Sequence, residues 1–448
     1  MKNFKRVLAS ILSAGMMLGL LAGCAAAPAA STPAPAAEAP AAEEAAPAED
    51  GVQEITWMFW DDLEATSDLI SLGYKDVVDR FNKDYEGKYH VTPITTNLEE
   101  YYSKLNALVA ANQTPDVFIV SPGPNLDVYV NPGVAAVLDD YLADGWKDTF
   151  TSDAVFSGGT YDGKIYAIPL NIAAACVFYN TEMFEKAGAE VPTNWTEMLD
   201  ACEKLQAAGY TPITISAGTA WCLSMVAGYL CDRNGLDLDK IASHETDWFD
   251  DKVVSAANQL IELSKYFQKT AAGDDNDIAT AAFYNEEAAI LIQGSWAIGQ
   301  INGANPEFED KCGVFQFPAI EGGGDPGRTI AKSDSLAVSA TSKCPEGAVE
   351  LIKYFTDDEA QKYTAEVGGK IPVTNVEFDL DVAPAQLADV MDVFSNATGT
   401  FGFYNESLVS SDAGSEFDNE MVAIFQQEKT PEEAFQAVED WYAEEGYR

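Results

Sequence analysis

The sequence predicts an α/β protein of two domains, and three observations lead there. Between residues 54 and 120 the apolar periodicity runs strand, helix, strand, helix, strand, the pattern of a parallel sheet covered by helices. With a short leader and a low-complexity stretch set aside, roughly 395 of the 448 residues remain, more than one core usually holds. Apolar residues make up 47% of the chain, with 22 Phe, 19 Tyr and 8 Trp, enough for a large interior.

The leader comes first. Lys2, Lys5 and Arg6 precede an apolar run from Val7 to Leu21 that is too short to span a bilayer comfortably. Leu21-Ala22-Gly23-Cys24 closes it in the cleavage and lipid-attachment pattern of a bacterial lipoprotein. Residues 1–23 are therefore read as a signal peptide and Cys24 as the lipidated first residue of the mature chain. Residues 24–52 are mostly Ala, Pro, Glu, Ser and Thr, which cannot bury enough surface to offset chain entropy, so they read as a disordered tether. The expected location is the extracellular face of the cytoplasmic membrane, lipid-anchored, with no other contact with the bilayer.

Each element then has its own justification. Glu54 to Trp60 is a buried strand ending in Asp61-Asp62, and Tyr74, Val77, Val78, Phe81 and Tyr85 share one face of the helix after it. A strand from about His90 to Thr96 leads to a helix bearing Tyr101, Leu105, Leu108 and Val109; Pro115 ends that pattern before the strand Asp116 to Val120. Tyr161-Asp162-Gly163-Lys164 is a hairpin turn. Asn194 with Glu197 makes a capping-box start for a helix carrying Trp195, which reads as core, and Gly209 stops it. Thr430 to Glu433 opens the last helix in the same way, and Gly322 to Gly327 is a loop without the Lys-Ser/Thr of a phosphate cradle.

Charge and rare residues exclude several functions. The net charge is −46, and losing Lys2, Lys5 and Arg6 with the leader makes it −49. Such a surface disfavours nucleic acid, anionic lipid headgroups and phosphorylated ligands. Two histidines, His90 and His244, leave no material for histidine-based catalysis or a histidine-rich metal site. The six cysteines after Cys24 match no zinc spacing and read as buried thiols, with a Cys222–Cys231 bridge as the alternative. Neither a cofactor nor a metal is expected.

Four stretches in order carry a family likeness: QTPDVFIV at 113–120, YDGKIYAIPLNIAAACVFYNTEMFEKAG at 161–188, AAILIQGSWAIGQI at 288–301 and GAVELIKYFTDDEAQKYTAEVGGKIPVTN at 347–375. The chain resembles the extracellular solute-binding proteins of carbohydrate ATP-binding-cassette importers, the family 1 or maltose/multiple-sugar type. The resemblance implies two Rossmann-like lobes of the periplasmic-binding-protein class II type, joined by a hinge crossed three times. Crossings are expected near Ile168 to Asn171, Thr329 to Lys332 and Ile371 to Asn375. Lobe I would be 53–168 plus 331–372, and lobe II 171–328 plus 376–448. A monomer would capture a sugar or oligosaccharide between them and pass it to the permease subunits.

A sugar needs flat rings against its C–H faces and amides or carboxylates for its hydroxyls. Trp60, Asp61 and Asp62 follow the first strand, Asn97 and Glu99 lie at the start of the second helix, Ser121 follows the third strand, and Asn171 lies just past the first crossing. Trp296, beside Ser295, matches a family position whose ring stacks on sugar; Trp221 is a second stacking candidate. Tyr404 and Asn405, in Phe403-Tyr404-Asn405, match a segment where relatives supply another contact. Ala173-Ala174-Ala175 stands where some relatives carry a hydroxyl-binding carboxylate, and reads as added room. Tyr179-Asn180 reads as structural.

Three alternatives stay open, one of them a surface sensor subunit that presents bound sugar to a signalling kinase. The many neighbouring acids, such as Asp61-Asp62 and Glu286-Glu287, could serve a glycoside hydrolase, although neighbours on a strand point to opposite faces. A polyamine would suit the acidic charge, with aromatic rings to hold the cation.

Overall fold

Ile55, Trp57, Met58 and Phe59 are all but inaccessible to solvent, which makes Gln53–Phe59 an inner strand with both faces covered. It pairs in parallel with Tyr89–Thr95 on one side and Val117–Val120 on the other. The computed structural model describes residues 51–64, 68–242 and 245–447, so the leader, Cys24, nearly all of the tether and His244 lie outside the described residues. No described helix is long and apolar enough to cross a membrane.

The first sheet runs in the order Tyr89–Thr95, Gln53–Phe59, Val117–Val120, Ser335–Val338, Ala167–Pro169. Ser335–Val338 is antiparallel to its neighbours because the chain returns to this lobe from the other side. Pro93 is tolerated because its strand is the edge, where a missing N–H breaks no ladder. Asp116 ties the centre together, accepting from Thr56 N at 2.9 Å and Thr56 Oγ1 at 2.8 Å. Helices Leu69–Asp84 and Pro345–Phe355 cover the sheet, with Val77, Val78, Phe81, Ile352 and Phe355 in one apolar cluster.

The second sheet runs Gly399–Phe401, Arg328–Lys332, Ala173–Asn180, Ala288–Gly294, Thr211–Thr214, with Cys312–Phe315 also paired to Ala173–Asn180. Its central strand Ala173–Asn180 alternates. Ala175 and Val177 enter one apolar cluster while Ala174, Cys176 and Phe178 enter another, so both faces are buried. Ala173–Ala175 therefore fill the sheet rather than leave room for a ligand. All six cysteines after Cys24 are buried, and burial pushes the Cys176, Cys202 and Cys231 thiols up.

Local chemistry explains several ends. Asp162 and Gly163 both have positive φ, 48° and 75°, as the hairpin between Thr160–Tyr161 and Lys164–Ile165 requires. Asn194 caps Trp195–Ala207 by accepting from Glu197 N, but Glu197 bonds Thr193 N and Oγ1 instead of completing a reciprocal box. Thr430 and Glu433 do complete one. The Gly322–Gly327 loop is a packing device: a Cβ on Gly323 would stand 2.0 Å from the Arg233 carbonyl oxygen. It closes over the buried Asp232–Arg233 pair, whose N···O distance is 2.7 Å.

Three connecting segments lie side by side between the sheets. Ile172 N donates to Ile371 O at 2.8 Å, Ile371 N to Ile172 O at 3.3 Å, and Leu170 N to Asp334 O at 3.0 Å. Arg328–Lys332 pairs with the second sheet to its end, Lys332 opposite Ala173. The return to the first lobe therefore falls at Ser333–Asp334, two residues beyond the boundary at 331. Backbone pairing sets that limit, and composition does not carry it.

Candidate functional site

A cleft of about 1030 Å³ opens between the lobes, beyond the carboxyl ends of strands from both sheets. Its size is at the upper end of the range of roughly 300–1,000 Å³ typical of small-molecule sites.

The first-lobe wall is polar. Trp60, Asp61 and Asp62 follow Gln53–Phe59, and Ser121 follows Val117–Val120. Trp60 stands edge-on to Tyr101, ring centroids 5.3 Å apart, and Tyr102 Oη accepts from Ser121 N at 3.0 Å. Asn97 lies at the mouth and caps Leu98–Ala110, its Oδ1 accepting from Glu100 N at 2.9 Å. Burial raises the Asp61 carboxyl to about 7; Asp68, Asp277 and Asp334 add to the rise and Lys370 opposes it.

The second-lobe wall is aromatic. Trp221, Trp296 and Phe403 come from three separate elements, yet each pair of rings lies 5.9–6.0 Å apart. Trp221 opens Ala220–Arg233, Trp296 turns the corner from Ala288–Gly294 into Ala297–Ala304, and Phe403 precedes Tyr404–Ser407. Gly294 is what lets the Trp296 ring fold back over the strand end: a Cβ there would stand 2.2 Å from Cζ3. The indole N–H groups of Trp221 and Trp296 are buried without an acceptor in the protein.

At the base, Lys332 Nζ lies 3.1 Å from Glu406 Oε1, 3.4 Å from Asp334 Oδ1 and 5.0 Å from the centre of the Phe403 ring. Ser121 Oγ, 3.5 Å away, brings the first lobe into the same cluster. Burial alone would pull the Lys332 ammonium down, but the two carboxylates reverse this and raise it. Burial raises Glu406, with Lys332 opposing. Burial also lifts Asp418 to about 7, with Ser224 and Asn405 opposing and Glu406 adding to the rise.

Of the residues singled out from sequence, Trp60, Asp61, Asp62, Asn97, Ser121, Trp221, Trp296 and Asn405 line this cleft. Three do not reach it. Asn171 is turned into the first lobe, where Nδ2 donates to Tyr74 Oη at 3.1 Å. Ser295 is fully buried at the strand-to-helix corner, its Oγ accepting from Ala174 N at 3.3 Å. Tyr404 packs inward against Phe401 and Phe417, because successive residues in a helical turn point about 100° apart. Glu99 belongs to Leu98–Ala110, and its side chain is outside the description.

The sequence reading missed Lys332, Asp334, Glu406, Asp418 and Asp277. Asp418 left a trace: it sits four residues after Gly414 and three before Met421, both on the buried face of Ser411–Phe425. Among the described residues, no group of three or more His, Cys, Asp or Glu is placed to hold a metal ion.

The bacterial extracellular solute-binding protein family model matches residues 68–362. A multiple sugar-binding protein of Streptococcus mutans is 28% identical over 232 residues, 48% of this chain and 53% of that protein. The chain thus spans about half the length of that curated relative. A structure from work on xylan utilization by the thermophilic bacterium Caldanaerobius polysaccharolyticus superposes with a TM-score of 0.81 at 26% identity, covering 86% of this chain and 99% of that one. A chitin oligosaccharide binding protein has the same fold, with a TM-score of 0.77 at 23% identity over 86% of this chain and 98% of that one. With two sheet-containing α/β lobes and a family match over well more than half its length, the chain belongs to the bacterial extracellular solute-binding protein family.

Proposed function

We propose that this protein captures a sugar or short oligosaccharide between its lobes and delivers it to the permease of an ATP-binding-cassette importer. The observation that carries the reading is the second-lobe wall, three mutually packed rings facing the polar strand ends of the first lobe. Rings of this kind cover the C–H faces of a pyranose, and the surrounding amides and carboxylates pair with its hydroxyls. Trp60, Asp61, Asp62, Asn97, Ser121 and Asn405 are the polar and flanking contacts of this proposal, and Trp221 and Trp296 its stacking rings. The multiple sugar-binding relative and the chitin oligosaccharide binding protein support the ligand class.

In this reading the protein makes and breaks no covalent bond. It is lipidated at Cys24, acts as a monomer on the extracellular side, and needs no cofactor. Closure of the lobes on the ligand produces the form that the permease accepts. A thermal-shift panel of xylotriose, maltotriose, raffinose and N-acetylated chitotriose tests it, because a ligand that binds only the folded state raises the melting temperature. A rise with one related set of saccharides supports the reading. Slow hydrolysis of any of them, abolished by Asp61→Asn, would move the assignment to a glycoside hydrolase.

A further inference from the structure

Asp418 is a half-buried carboxylate without a counter-ion. Asn405 Nδ2 donates to its Oδ2 at 3.0 Å, while its Oδ1 has no partner. The Ser224 hydroxyl is close enough to oppose the rise in its pKa but makes no hydrogen bond. The charge that acts on it is another carboxylate, Glu406, which adds to the rise. Lys332 does not make up the deficit, since it already serves Asp334 and Glu406. Two carboxylates therefore share one ammonium at the base of the cleft while Asp418 has none, and burying such a charge unpaired is unfavourable.

The acceptors are unbalanced as well. Asn405 is oriented by its bond to Asp418, which leaves its Oδ1 buried without a donor. Glu406 gives Oε1 to Lys332 and leaves Oε2 buried without a donor. Asn405, Glu406 and Asp418 thus present three unpartnered acceptors in one wall. A hydroxyl would bring one donor and no charge. A primary ammonium brings three donors, no acceptor and the missing positive charge.

The rest of the cleft agrees. Nine of its 34 lining residues are Asp or Glu, against 72 in 448 overall, and only two are Lys, so the acidity exceeds what composition alone gives. The Trp221 and Trp296 rings add faces that attract a cation.

We propose that the ligand of this cleft carries a primary ammonium group held by Asn405, Glu406 and Asp418, making it a basic amino sugar or a short oligosaccharide of such units. This rests on the carbohydrate reading above.

Calorimetric titration of the purified full chain tests it with glucosamine, galactosamine and the glucosamine trimer, each beside its N-acetylated form, and with spermidine. The expected result is at least tenfold tighter binding of an amine form than of its N-acetylated partner, weakening as salt rises. Asp418→Asn keeps the shape and removes the charge; it should cost the amine form at least tenfold and its N-acetylated partner less than twofold. Equal or tighter binding of an N-acetylated form overturns the ammonium contact and leaves the carbohydrate reading standing. Binding of spermidine alone keeps the ammonium contact and overturns the carbohydrate reading. Silence from every compound here and in the neutral panel overturns both.

Discussion

The two walls of the cleft differ in what their polar groups already do. On the first lobe, Asn97, Asp62 and Asp68 each give an oxygen to a backbone N–H, those of Glu100, Glu64 and Ile70. On the second lobe, Trp221 Nε1, Trp296 Nε1, Asn405 Oδ1, Glu406 Oε2 and Asp418 Oδ1 are buried with no protein partner. Among the described residues, every unpartnered buried side-chain atom that belongs to a cleft-lining residue is on the second lobe. One wall uses its polar groups to hold its own loops in place, and the other keeps them in reserve. Leaving a buried polar group unmet costs stability, so a wall that carries five of them is built for something that arrives.

The largest expected effect comes from the group that joins the walls. Lys332→Met leaves Asp334 and Glu406 buried without a cation and should cost about 3 kcal/mol in urea unfolding. A cost near zero would mean that the walls are independent. Next is Trp296→Ala, which should weaken ligand binding by ~1–3 kcal/mol while changing the unfolding midpoint less. The reverse split would make Trp296 a core residue and undo the contrast.

Asp61 and Asp418 give a pH test that reaches both walls. Each has a folded-state pKa of about 7, raised from 3.8 chiefly by burial. The folded protein therefore binds more protons than the unfolded chain between those values. The stability this supplies is full below about pH 4 and is lost as pH rises through about 7. Asp418→Asn and Asp61→Asn should each flatten that slope, and an unchanged slope would show that the carboxyl is not desolvated. The smallest effect is expected from Asn97→Ala, about 1 kcal/mol of stability from the lost cap, with a smaller loss of affinity than Trp296→Ala produces.

The same contrast explains what the sequence could reveal. The strands and helices around residues 53–120 were legible because Ile55, Trp57, Val77 and Phe81 repeat at the periods of their elements. Trp60 and Ser121 were legible because they directly follow apolar strands, and Trp296 because it matches a position of the family that the chain resembles. The charged half of the second wall was not, since Glu406 and Asp418 look like ordinary members of an acidic chain until the fold buries them. Tyr404 was placed in the cleft in place of its neighbours Phe403 and Glu406, because sequence adjacency does not fix which way a short turn faces. The return to the first lobe at Ser333–Asp334 depends on pairing between strands more than 150 residues apart, Lys332 with Ala173.

The most direct test of the account is a pair of titrations with the best saccharide found, one on the wild type and one on Trp296→Ala, with unfolding measured on the same samples. The account predicts affinity weakened about tenfold or more and stability nearly retained. Unchanged affinity, or a loss of affinity that only follows a loss of folding, would contradict the claim that the second-lobe wall reads the ligand.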